Sequence, residues 1–276
     1  LTVGGTGKTP FSIYTYKLLK NLGYKPVFLT RGYGGLKKGP LEVINKHLFQ
    51  DVGDEALLLS KVGTTIVSKN RYLGAKFIEN HKTKFNVIIM DDGLQNYQLK
   101  QDLKIMLVDK HLKLGNGYCL PAGPLRQPIK RGLKDIDKII LTGESDKNEK
   151  DLFKSINIPV IKSNIRTKSL PKIKKEKLLA FCGLANPKKF FDTLKKNGYE
   201  VFLTRKFPDH YVYKINDINN LILDANNRNL KLITTEKDYV KISENNKDIH
   251  FLPIELELSV KDKLNFELFL QEKLSV

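Results

Sequence analysis

The sequence predicts an α/β fold in which helices cover both faces of a parallel sheet, and two observations lead to this prediction. Short apolar runs rich in β-branched residues alternate with amphipathic stretches along most of the 276 residues, as strands and helices do in proteins built from βαβ units. The predicted strands are nearly continuous in their apolar character, which is typical of parallel strands buried on both faces. Together these patterns indicate a three-layer α/β/α core.

The first part of the chain is predicted to form one domain, residues 1–166, before the lysine-rich segment Thr167–Lys177. That segment has the composition of a linker or an exposed connection. The predicted strands are Pro26–Thr30, Thr64–Val67, Asn86–Met90, Lys104–Val108, Lys138–Leu141 and Ile158–Lys162. The predicted helices are Lys8–Leu22, Asp54–Lys61, Arg71–Asn80 and Glu149–Ile156.

The alternation resumes after this segment and predicts a second, smaller α/β domain, residues 167–276. Its predicted strands are Leu178–Phe181, Glu200–Leu203, Leu230–Thr234 and His250–Ile254. Its predicted helices are Pro187–Asn197, Asn216–Asn226 and Lys261–Lys273. We allow for the last of these helices packing back on the first domain.

The charge balance narrows the range of partners without choosing one. Lysine and arginine outnumber aspartate and glutamate by 48 to 30, which gives a net charge of +18. Such an excess attracts nucleic acid, anionic lipid head groups or phosphorylated substrates, and a solvated lysine-rich surface is an equally good reading. The two cysteines show no CxxC spacing, which favours a reducing compartment. No run is long and apolar enough to cross a bilayer, and no signal peptide is visible.

The strongest functional signal is a glycine-rich segment before the first predicted helix, Thr2-Val3-Gly4-Gly5-Thr6-Gly7-Lys8-Thr9. Its glycines let backbone N–H groups surround phosphate oxygens, and the helix N-terminus adds its positive dipole end. Lys8 is then expected to reach the β- and γ-phosphates of ATP, and the Thr9 hydroxyl to bind Mg²⁺. Thr2 stands where the Walker A pattern has its first glycine, and a glycine-rich turn without function is the alternative. The segment predicts a P-loop NTPase-type core.

The start of the chain falls almost on this motif. A P-loop normally follows a buried strand, which would include Leu1–Val3 and residues upstream of them. Because the sequence begins with Leu1 rather than methionine, we expect the true N-terminus to precede it.

A second signal is the apolar run Val87–Met90, which ends in Asp91, Asp92 and Gly93. A buried strand delivers such carboxylates to its C-terminal end, where α/β proteins bind ligands. One of the two is expected to hold Mg²⁺ as a Walker B aspartate does, so the predicted metal ligands are Thr9, Asp91 and Asp92. Taken alone, the Asp-Asp-Gly sequence is also a common turn.

Loops that combine glycine with arginine follow two other predicted strands, at residues 31–35 and 115–126. Guanidinium groups on flexible loops suit phosphate recognition, although each loop taken alone is better explained as a plain turn. Eight short motifs, several of them from these loops, then occur in one order: TVGGTGKTP, RGYGG, VGDEALLL, DDGLQ, GNGYCLPAGPLR, FCGLANP, FPDHY and TTEKD.

This set resembles the tetraacyldisaccharide 4′-kinase family of lipid A biosynthesis, from Leu1 to about Asp238. The resemblance implies transfer of the γ-phosphate of ATP to the 4′-hydroxyl of a tetraacyldisaccharide 1-phosphate, which forms lipid IVA. It also implies Mg²⁺, two α/β/α domains, and work at the cytoplasmic face of the inner membrane of a Gram-negative bacterium. The resemblance further implies an N-terminal membrane helix upstream of the P-loop, and we expect that this anchor is missing from the chain.

The resemblance also assigns roles to individual residues. The nucleotide falls to Gly4, Gly5, Thr6, Gly7, Lys8 and Thr9. The catalytic aspartate is Asp54 in the GDE motif, and its histidine partner is His210 in the FPDH motif. The substrate-binding residues are Arg31, Tyr33, Arg71 and Asn116. On local pattern alone, Asp54 is better explained as a helix N-cap and His210 as a surface-loop histidine.

We expect Asp54 and His210 to lie in different domains that face one cleft. Two positions depart from the family pattern, since Asn96 stands where histidine usually follows DDGLQ, and Gln127 where glutamate usually follows PAGPLR.

Two other classes of function remain as alternatives. A P-loop NTPase switch acting on nucleic acid or another polyanion would use the positive charge, and residues 235–238, Thr-Glu-Lys-Asp, come close to a base-reading motif of GTPases. The lysine stands one place too late for that motif. A non-catalytic lipid-surface protein would leave the P-loop unexplained. We therefore expect a monomeric kinase with ATP, Mg²⁺, a glycolipid substrate and an anionic membrane surface as partners, and no nucleic acid.

Overall fold

The computed structural model describes residues 7–111, 113–143, 157–242 and 248–274. Its strands, in chain order, are β1 (Pro26–Thr30), β2 (Leu41–Glu42), β3 (Thr65–Val67), β4 (Val87–Met90), β5 (Ile105–Asp109), β6 (Lys138–Thr142), β7 (Val160–Thr167), β8 (Lys177–Cys182), β9 (Glu200–Lys206), β10 (Lys231–Thr235), β11 (Ile249–Leu252) and β12 (Ile254–Leu258). Its α-helices are α1 (Lys8–Asn21), α2 (Phe49–Val52), α3 (Asp54–Ser60), α4 (Arg71–Glu79), α5 (Ile129–Leu133), α6 (Pro187–Lys196), α7 (Ile215–Asn227), α8 (Glu236–Tyr239) and α9 (Val260–Leu274).

The predicted α/β class is confirmed, and most predicted elements agree with the structure to within a few residues. The predicted helix Glu149–Ile156 lies outside the described residues. The predicted strand His250–Ile254 is wrong as a single strand, because it divides at Pro253 into β11 and β12. Proline has no N–H to donate to a sheet, so a strand tends to break there.

The chain divides into two compact units, and neither is a continuous segment. The first unit comprises Leu1–Thr30, Asn70–Arg166 and Leu256–Val276; the second comprises Arg31–Lys69 and Thr167–Glu255. This division differs from the expected domains, 1–166 and 167–276, although both place a boundary after Arg166. The reason is long-range packing: α3 contacts α8, and the last helix buries its apolar side chains in the first unit.

The first unit contains parallel pairs of strands and an apolar core beneath α1 and α9. Strand β1 pairs in parallel with β4, and β5, β6 and β7 pair in parallel, with β12 beside β7. Strands β1 and β6 are buried at every position, as the continuous apolar runs predicted. The main core joins Phe11 and Leu18 of α1, Ile140 of β6, and Phe266 and Leu270 of α9.

The second unit is built on a parallel sheet in the order β11-β10-β8-β9. Alternate side chains of β8 enter separate cores on its two faces, since successive side chains of a strand point to opposite sides. Leu178 and Ala180 pack with residues of α6, whereas Leu179 and Phe181 pack with residues of α7. The sheet β11-β10-β8-β9 thus has helices on both faces. In the same unit, β2 pairs antiparallel with β3.

No helix in the described part of the chain has the length and apolar character needed to span a membrane.

The buried end of α9 provides a stability test. Phe266 is fully buried, and its ring centroid lies 5.6 Å from that of Phe11. We expect Phe266→Ala to lower the free energy of unfolding by about 3–5 kcal/mol through lost burial and a residual cavity. Denaturant unfolding measures this. The control is Leu268→Ala on the same helix, where the side chain is 55% exposed and a change within about 0.5 kcal/mol is expected. Equal losses for the two variants would contradict the packing of α9 described above.

Candidate active site

The described end of the predicted P-loop is Gly7, which directly precedes α1. Its φ of 82° is left-handed, a conformation that glycine adopts at little cost. The carbonyl oxygen of Gly7 accepts the first α-helical hydrogen bond, from the Phe11 N–H at 3.0 Å, so Lys8 and Thr9 lie in the first turn. The remaining nucleotide-binding predictions, Thr2, Val3, Gly4, Gly5 and Thr6, lie outside the described residues. The N-terminus of α1 carries the positive end of the helix dipole, which favours anions.

Asp92, directly after β4, lies between two cations. The Lys8 Nζ is 2.9 Å from its Oδ1, and the Arg126 guanidinium donates a hydrogen bond of 2.7 Å to its Oδ2. Burial raises the pKa of Asp92, but the charges and hydrogen bonds of Lys8 and Arg126 outweigh burial and hold this pKa below its ordinary value. Asp92 is therefore ionised at neutral pH. Arg126 was not among the predicted site residues, although its loop was noted as suited to phosphates.

The neighbouring Asp91 has a different environment, because hydroxyl groups surround it. It is 2% exposed and accepts hydrogen bonds from the Ser12 hydroxyl at 2.8 Å and the Thr9 hydroxyl at 3.3 Å. Burial raises the pKa of Asp91, and the adjacent Asp92 charge adds to this, against the hydrogen bond from Ser12. The two adjacent carboxyl groups thus differ in their readiness to ionise.

The predicted metal ligands form a set of oxygen donors. Thr9, Asp91 and Asp92 present one hydroxyl and two carboxyl groups within hydrogen-bonding reach of one another or of Lys8. Mg²⁺ prefers oxygen ligands and is usually held by one or two carboxylates together with phosphate oxygens and water. The described residues contain no group of three or more His, Cys, Asp or Glu side chains that could hold a metal ion. The donor chemistry fits a magnesium ion that is bound together with a nucleotide.

In the second unit, Asp54 is the first residue of α3 and is buried, with 4% of its surface exposed. The residue that caps the helix is Gly53, which makes no side-chain cap, so the alternative N-cap reading of Asp54 is wrong. Gly53 has a φ of 87°, and a β-carbon there would collide with the Tyr33 carbonyl oxygen. The Asp54 Oδ1 accepts a hydrogen bond of 2.8 Å from the Glu55 N–H. The other carboxylate oxygen of Asp54, Oδ2, faces His210.

His210 lies against this second oxygen. Its Nδ1 is 3.5 Å from Asp54 Oδ2, and its ring meets the Tyr33 ring edge-on with centroids 5.4 Å apart. The backbone of His210 is left-handed, with φ of 57°, and its N–H donates to the Asp209 side chain at 3.1 Å. Non-glycine residues in this conformation are strained and are found disproportionately at functional sites. The predicted Asp54–His210 pair is therefore in contact, but within one unit rather than in two domains as expected.

Lys237 is a third member of this cluster and is not among the predicted site residues. Its Nζ is 3.2 Å from His210 Nε2 and 3.8 Å from Asp54 Oδ2. Burial acts to raise the pKa of Asp54, but the hydrogen bond from His210 and the charge of Lys237 outweigh burial, so the pKa lies below its ordinary value. The signal that could have identified Lys237 is the motif TTEKD, which contributed to the resemblance as a whole.

Comparisons with known proteins agree on one family. The family model described as tetraacyldisaccharide-1-P 4′-kinase (LpxK) matches residues 1–275. The chain belongs to the tetraacyldisaccharide 4′-kinase family. Relatives named tetraacyldisaccharide 4′-kinase include those of Methylobacterium nodulans, 38% identical over 95% of this chain and 78% of the relative, and of Rickettsia felis, 37% identical over 97% and 82%.

A solved structure supports the same family fold. The chain is similar to the "apo" form of LpxK from Aquifex aeolicus in complex with ATP, with a TM-score of 0.77 and 28% sequence identity. The similarity covers 98% of this chain and 85% of the other. The α/β architecture is therefore that of a tetraacyldisaccharide 4′-kinase.

The four predicted substrate-binding residues of this family member have different surroundings. Arg31 and Tyr33 are exposed and directly follow β1. Arg71 is buried at the start of α4, where its backbone N–H donates to the Gln98 side chain at 2.7 Å. The Asn116 side chain stabilises its own loop. It accepts a hydrogen bond from the Tyr118 N–H and donates one to the Ala122 carbonyl oxygen. The Tyr33 ring contacts a predicted catalytic residue, His210, and all four roles stay predictions.

The two carboxyl groups after β4 predict opposite effects on stability. A raised pKa means that ionised Asp91 destabilises the fold at neutral pH, a cost that is absent below its unfolded-state pKa. A lowered pKa means that Asp92 stabilises the fold above its unfolded-state pKa, and that this contribution is lost as the pH falls through its folded-state pKa.

We therefore expect Asp91→Asn to raise the melting temperature at neutral pH without nucleotide, and Asp92→Asn to lower it. A change of about 1 kcal/mol corresponds to about 2–4 °C for a chain of this size. Thermal unfolding over a pH series measures both variants, and the gap between them is expected to narrow in acid. Shifts of the same sign for both variants would contradict the environments described for the two groups.

Proposed function

We propose that this chain transfers the γ-phosphate of ATP to the 4′-hydroxyl of a tetraacyldisaccharide 1-phosphate and so forms lipid IVA, with Mg²⁺ as cofactor. The observation that supports this most directly is the contact between the start of α1 and the end of β4. Lys8 pairs with Asp92 at 2.9 Å, and Thr9 donates to Asp91. These are the two elements from which P-loop kinases build their phosphate and metal sites. The similar Aquifex aeolicus protein was crystallised with ATP, which supports ATP as the donor.

In this proposal the first unit supplies charge neutralisation. Bound Mg²⁺ would neutralise phosphate charge and orient the transferred group, and Thr9, Asp91 and Asp92 would hold it. Lys8 has three ammonium donors, so it can contact a phosphate while keeping one bond to Asp92. Arg126 holds the other oxygen of Asp92 and orients that carboxylate. Phosphoryl transfer requires little covalent chemistry from the protein, so positioning and charge neutralisation account for most of the rate.

Asp54 is proposed as the base that accepts the proton of the acceptor hydroxyl. Its lowered pKa keeps it ionised at neutral pH, and such a weak base takes the proton late, as the bond to phosphorus forms. His210 holds the carboxylate through the 3.5 Å contact to Oδ2. Burial keeps bulk water away from Asp54, which limits wasteful hydrolysis.

The structure argues against the alternative of a nucleic-acid or nucleotide switch, which the family match also does not favour. The tetrapeptide that resembled a base-reading motif ends in Lys237 and Asp238. Lys237 contacts Asp54 and His210. Asp238 is fully buried and pairs with Lys241 at 2.6 Å, so its carboxylate is not free to read a base.

We further propose that the chain acts as a monomer on a glycolipid at an anionic membrane surface, on the cytoplasmic face of the inner membrane of a Gram-negative cell. The anionic membrane surface in this proposal is supported by the loop after β1, where Leu36 is 80% exposed next to two exposed lysines, Lys37 and Lys38. An exposed apolar side chain beside cations suits the interface of an anionic bilayer.

The proposed phosphate site is tested by steady-state kinetics with the disaccharide 1-phosphate and Mg²⁺-ATP. We expect Lys8→Ala and Asp92→Ala each to lower kcat by about 10²-fold or more, because each removes charge neutralisation or metal placement. Lys20→Ala, an exposed position on the same helix, is the control and is expected to retain activity. Near-normal kcat in either test variant would place the phosphate site elsewhere.

The Asp54–His210 pair is tested by a double-mutant cycle. If the two residues act as one unit, the double alanine variant is expected to be little slower than the more damaged single variant. ATP binding is expected to survive in all three variants, because neither residue belongs to the P-loop. Strictly multiplicative losses in kcat would show that the residues act independently.

The lipid-facing loop is tested by co-sedimentation with vesicles that contain anionic lipid. Each lysine near such a surface contributes about 1 kcal/mol, so Lys37→Ala/Lys38→Ala is expected to weaken binding by up to about 30-fold, and salt to weaken it further. The control pair is Lys174→Ala/Lys175→Ala, which is also exposed. Binding that is insensitive to salt, or equally weakened by both pairs, would refute this surface.

A further inference from the structure

We propose that Lys237 is a positioning residue that fixes the tautomer of His210 and thereby directs the imidazole proton at Asp54. The proposed function uses Asp54 and His210, and the catalytic meaning of this inference rests on that function. The inference itself comes from the geometry of three side chains in the second unit and concerns the resting protein.

The contact between Lys237 and His210 restricts where the imidazole can carry its proton. A lysine ammonium has three donors and no acceptor. The Lys237 Nζ lies 3.2 Å from His210 Nε2, so a hydrogen bond between them requires Nε2 to be the unprotonated acceptor. A neutral imidazole then carries its proton on Nδ1. That nitrogen is the one that faces Asp54 Oδ2, at 3.5 Å.

This tautomer separates the roles of the two predicted catalytic residues. With Nδ1 protonated and Nε2 occupied by Lys237, His210 offers Asp54 a donor and no free lone pair. His210 therefore cannot take over the proton that Asp54 accepts from the hydroxyl, and Asp54 is the base. The opposite tautomer would turn an unprotonated Nδ1 toward the Asp54 carboxylate, and two acceptors would then face each other. The Asp54 carboxylate and Lys237 therefore both favour the proton on Nδ1, and Lys237 makes the shorter contact, 3.2 Å against 3.5 Å.

The chain holds Lys237 in place through its neighbours. Thr235 caps α8 by accepting from the Asp238 N–H at 3.0 Å and donates its hydroxyl to Asp238 Oδ2 at 2.8 Å. The same oxygen of Asp238 accepts from the Gly183 N–H at 3.0 Å, and Lys241 pairs with the other at 2.6 Å. Lys237 itself is only 24% exposed. The motif TTEKD thus presents one lysine from a short helix fixed by a buried aspartate.

A simpler role for Lys237 would be that of a counterion to Asp54. The distances favour the histidine, since Nζ is 3.2 Å from His210 Nε2 and 3.8 Å from Asp54 Oδ2. A counterion would alter the charge balance of Asp54 and leave the imidazole tautomer unchanged. The tautomer is therefore the measurement that separates the two roles.

The test is nitrogen-15 NMR of the imidazole rings in histidine-labelled protein without nucleotide, at mildly alkaline pH, where imidazole is neutral. The chain has five histidines, and the His210→Gln spectrum identifies the signals of His210 by their loss. We expect a protonated Nδ1 and an unprotonated Nε2 in the unaltered protein. Lys237→Met keeps the aliphatic stem and removes the donors. Because the Asp54 carboxylate still faces Nδ1, we expect the proton to move partly to Nε2, as a mixture of the two tautomers.

Two further variants control this measurement. Lys237→Arg retains donors without acceptors and is expected to preserve the Nδ1–H tautomer. Lys231→Met, at the opposite end of β10, removes an exposed lysine and is expected to leave His210 unchanged. A proton on Nε2 in the unaltered protein would overturn the inference even if Lys237→Met did not fold. An unchanged Nδ1–H tautomer in Lys237→Met would overturn it as well.

Kinetics then connect the tautomer to catalysis. We expect Lys237→Met to lower kcat by about 10- to 100-fold, the range found when the hydrogen-bond partner of a metal-bound histidine is removed, with ATP binding unchanged and partial recovery in Lys237→Arg. Unchanged kcat would overturn the catalytic part of the inference. If the unaltered protein phosphorylates no disaccharide, the proposed function fails, whereas the NMR result still decides whether Lys237 sets the tautomer.

Discussion

Asp54 carries a negative charge inside the second unit, and the surrounding structure supplies the groups that make this burial tolerable. A carboxylate removed from water loses several kcal/mol of hydration unless donors and cations replace it. One oxygen receives the Glu55 N–H, and the other faces His210 and Lys237. Lys237 depends in turn on α8, which is anchored by a second buried carboxylate, Asp238. The partners of the buried Asp54 carboxylate therefore link α3 to the loop of His210 and to α8. The partners of the buried Asp238 carboxylate hold α8 in place.

The three carboxyl groups with predicted roles have different pKa shifts because their surroundings differ. Asp92 lies between Lys8 and Arg126 and is ionised readily. Asp91 accepts hydrogen bonds from the Ser12 and Thr9 hydroxyl groups, and burial raises its pKa. Asp54 is buried as deeply as Asp91 but has cationic and hydrogen-bonding partners that reverse the effect of burial on its pKa. Burial alone therefore does not determine the protonation state; the partners do.

Local pattern was enough to predict most of the architecture. The parallel strands β1 and β6 are buried at every position and have apolar residues at their centres, and α1 follows its glycine-rich segment as expected. These signals come from residues a few positions apart, where periodicity is informative. Pro253 shows where prediction from local pattern fails. The apolar run continues across this proline, whereas the strand ends at Leu252 and a new strand begins at Ile254.

The candidate site could be predicted only in part, since its contacts join residues far apart in the chain. Local pattern favoured an N-cap for Asp54, and the resemblance to a family was needed to suggest His210 as its partner. Neither source assigned a role to Lys237. The motif TTEKD contains it, but its neighbours in the chain do not indicate a contact with Asp54. The grouping of residues 31–69 with 167–255 was missed for the same reason: no periodicity reports which distant segments pack together.

The interleaving of the two units has a consequence for the order in which the chain can fold during synthesis. Domains that are continuous in sequence fold one after another as they leave the ribosome. Here the first unit lacks Phe266 and Leu270 of its core until α9 has been translated, and Asp54 emerges long before His210 and Lys237. The first unit can therefore be completed only after α9 has been translated, and the second only after the segment that carries His210 and Lys237. The apolar side chains that pack against α9 stay exposed until then. We expect such a protein to depend on chaperone protection more than two continuous domains of the same size would.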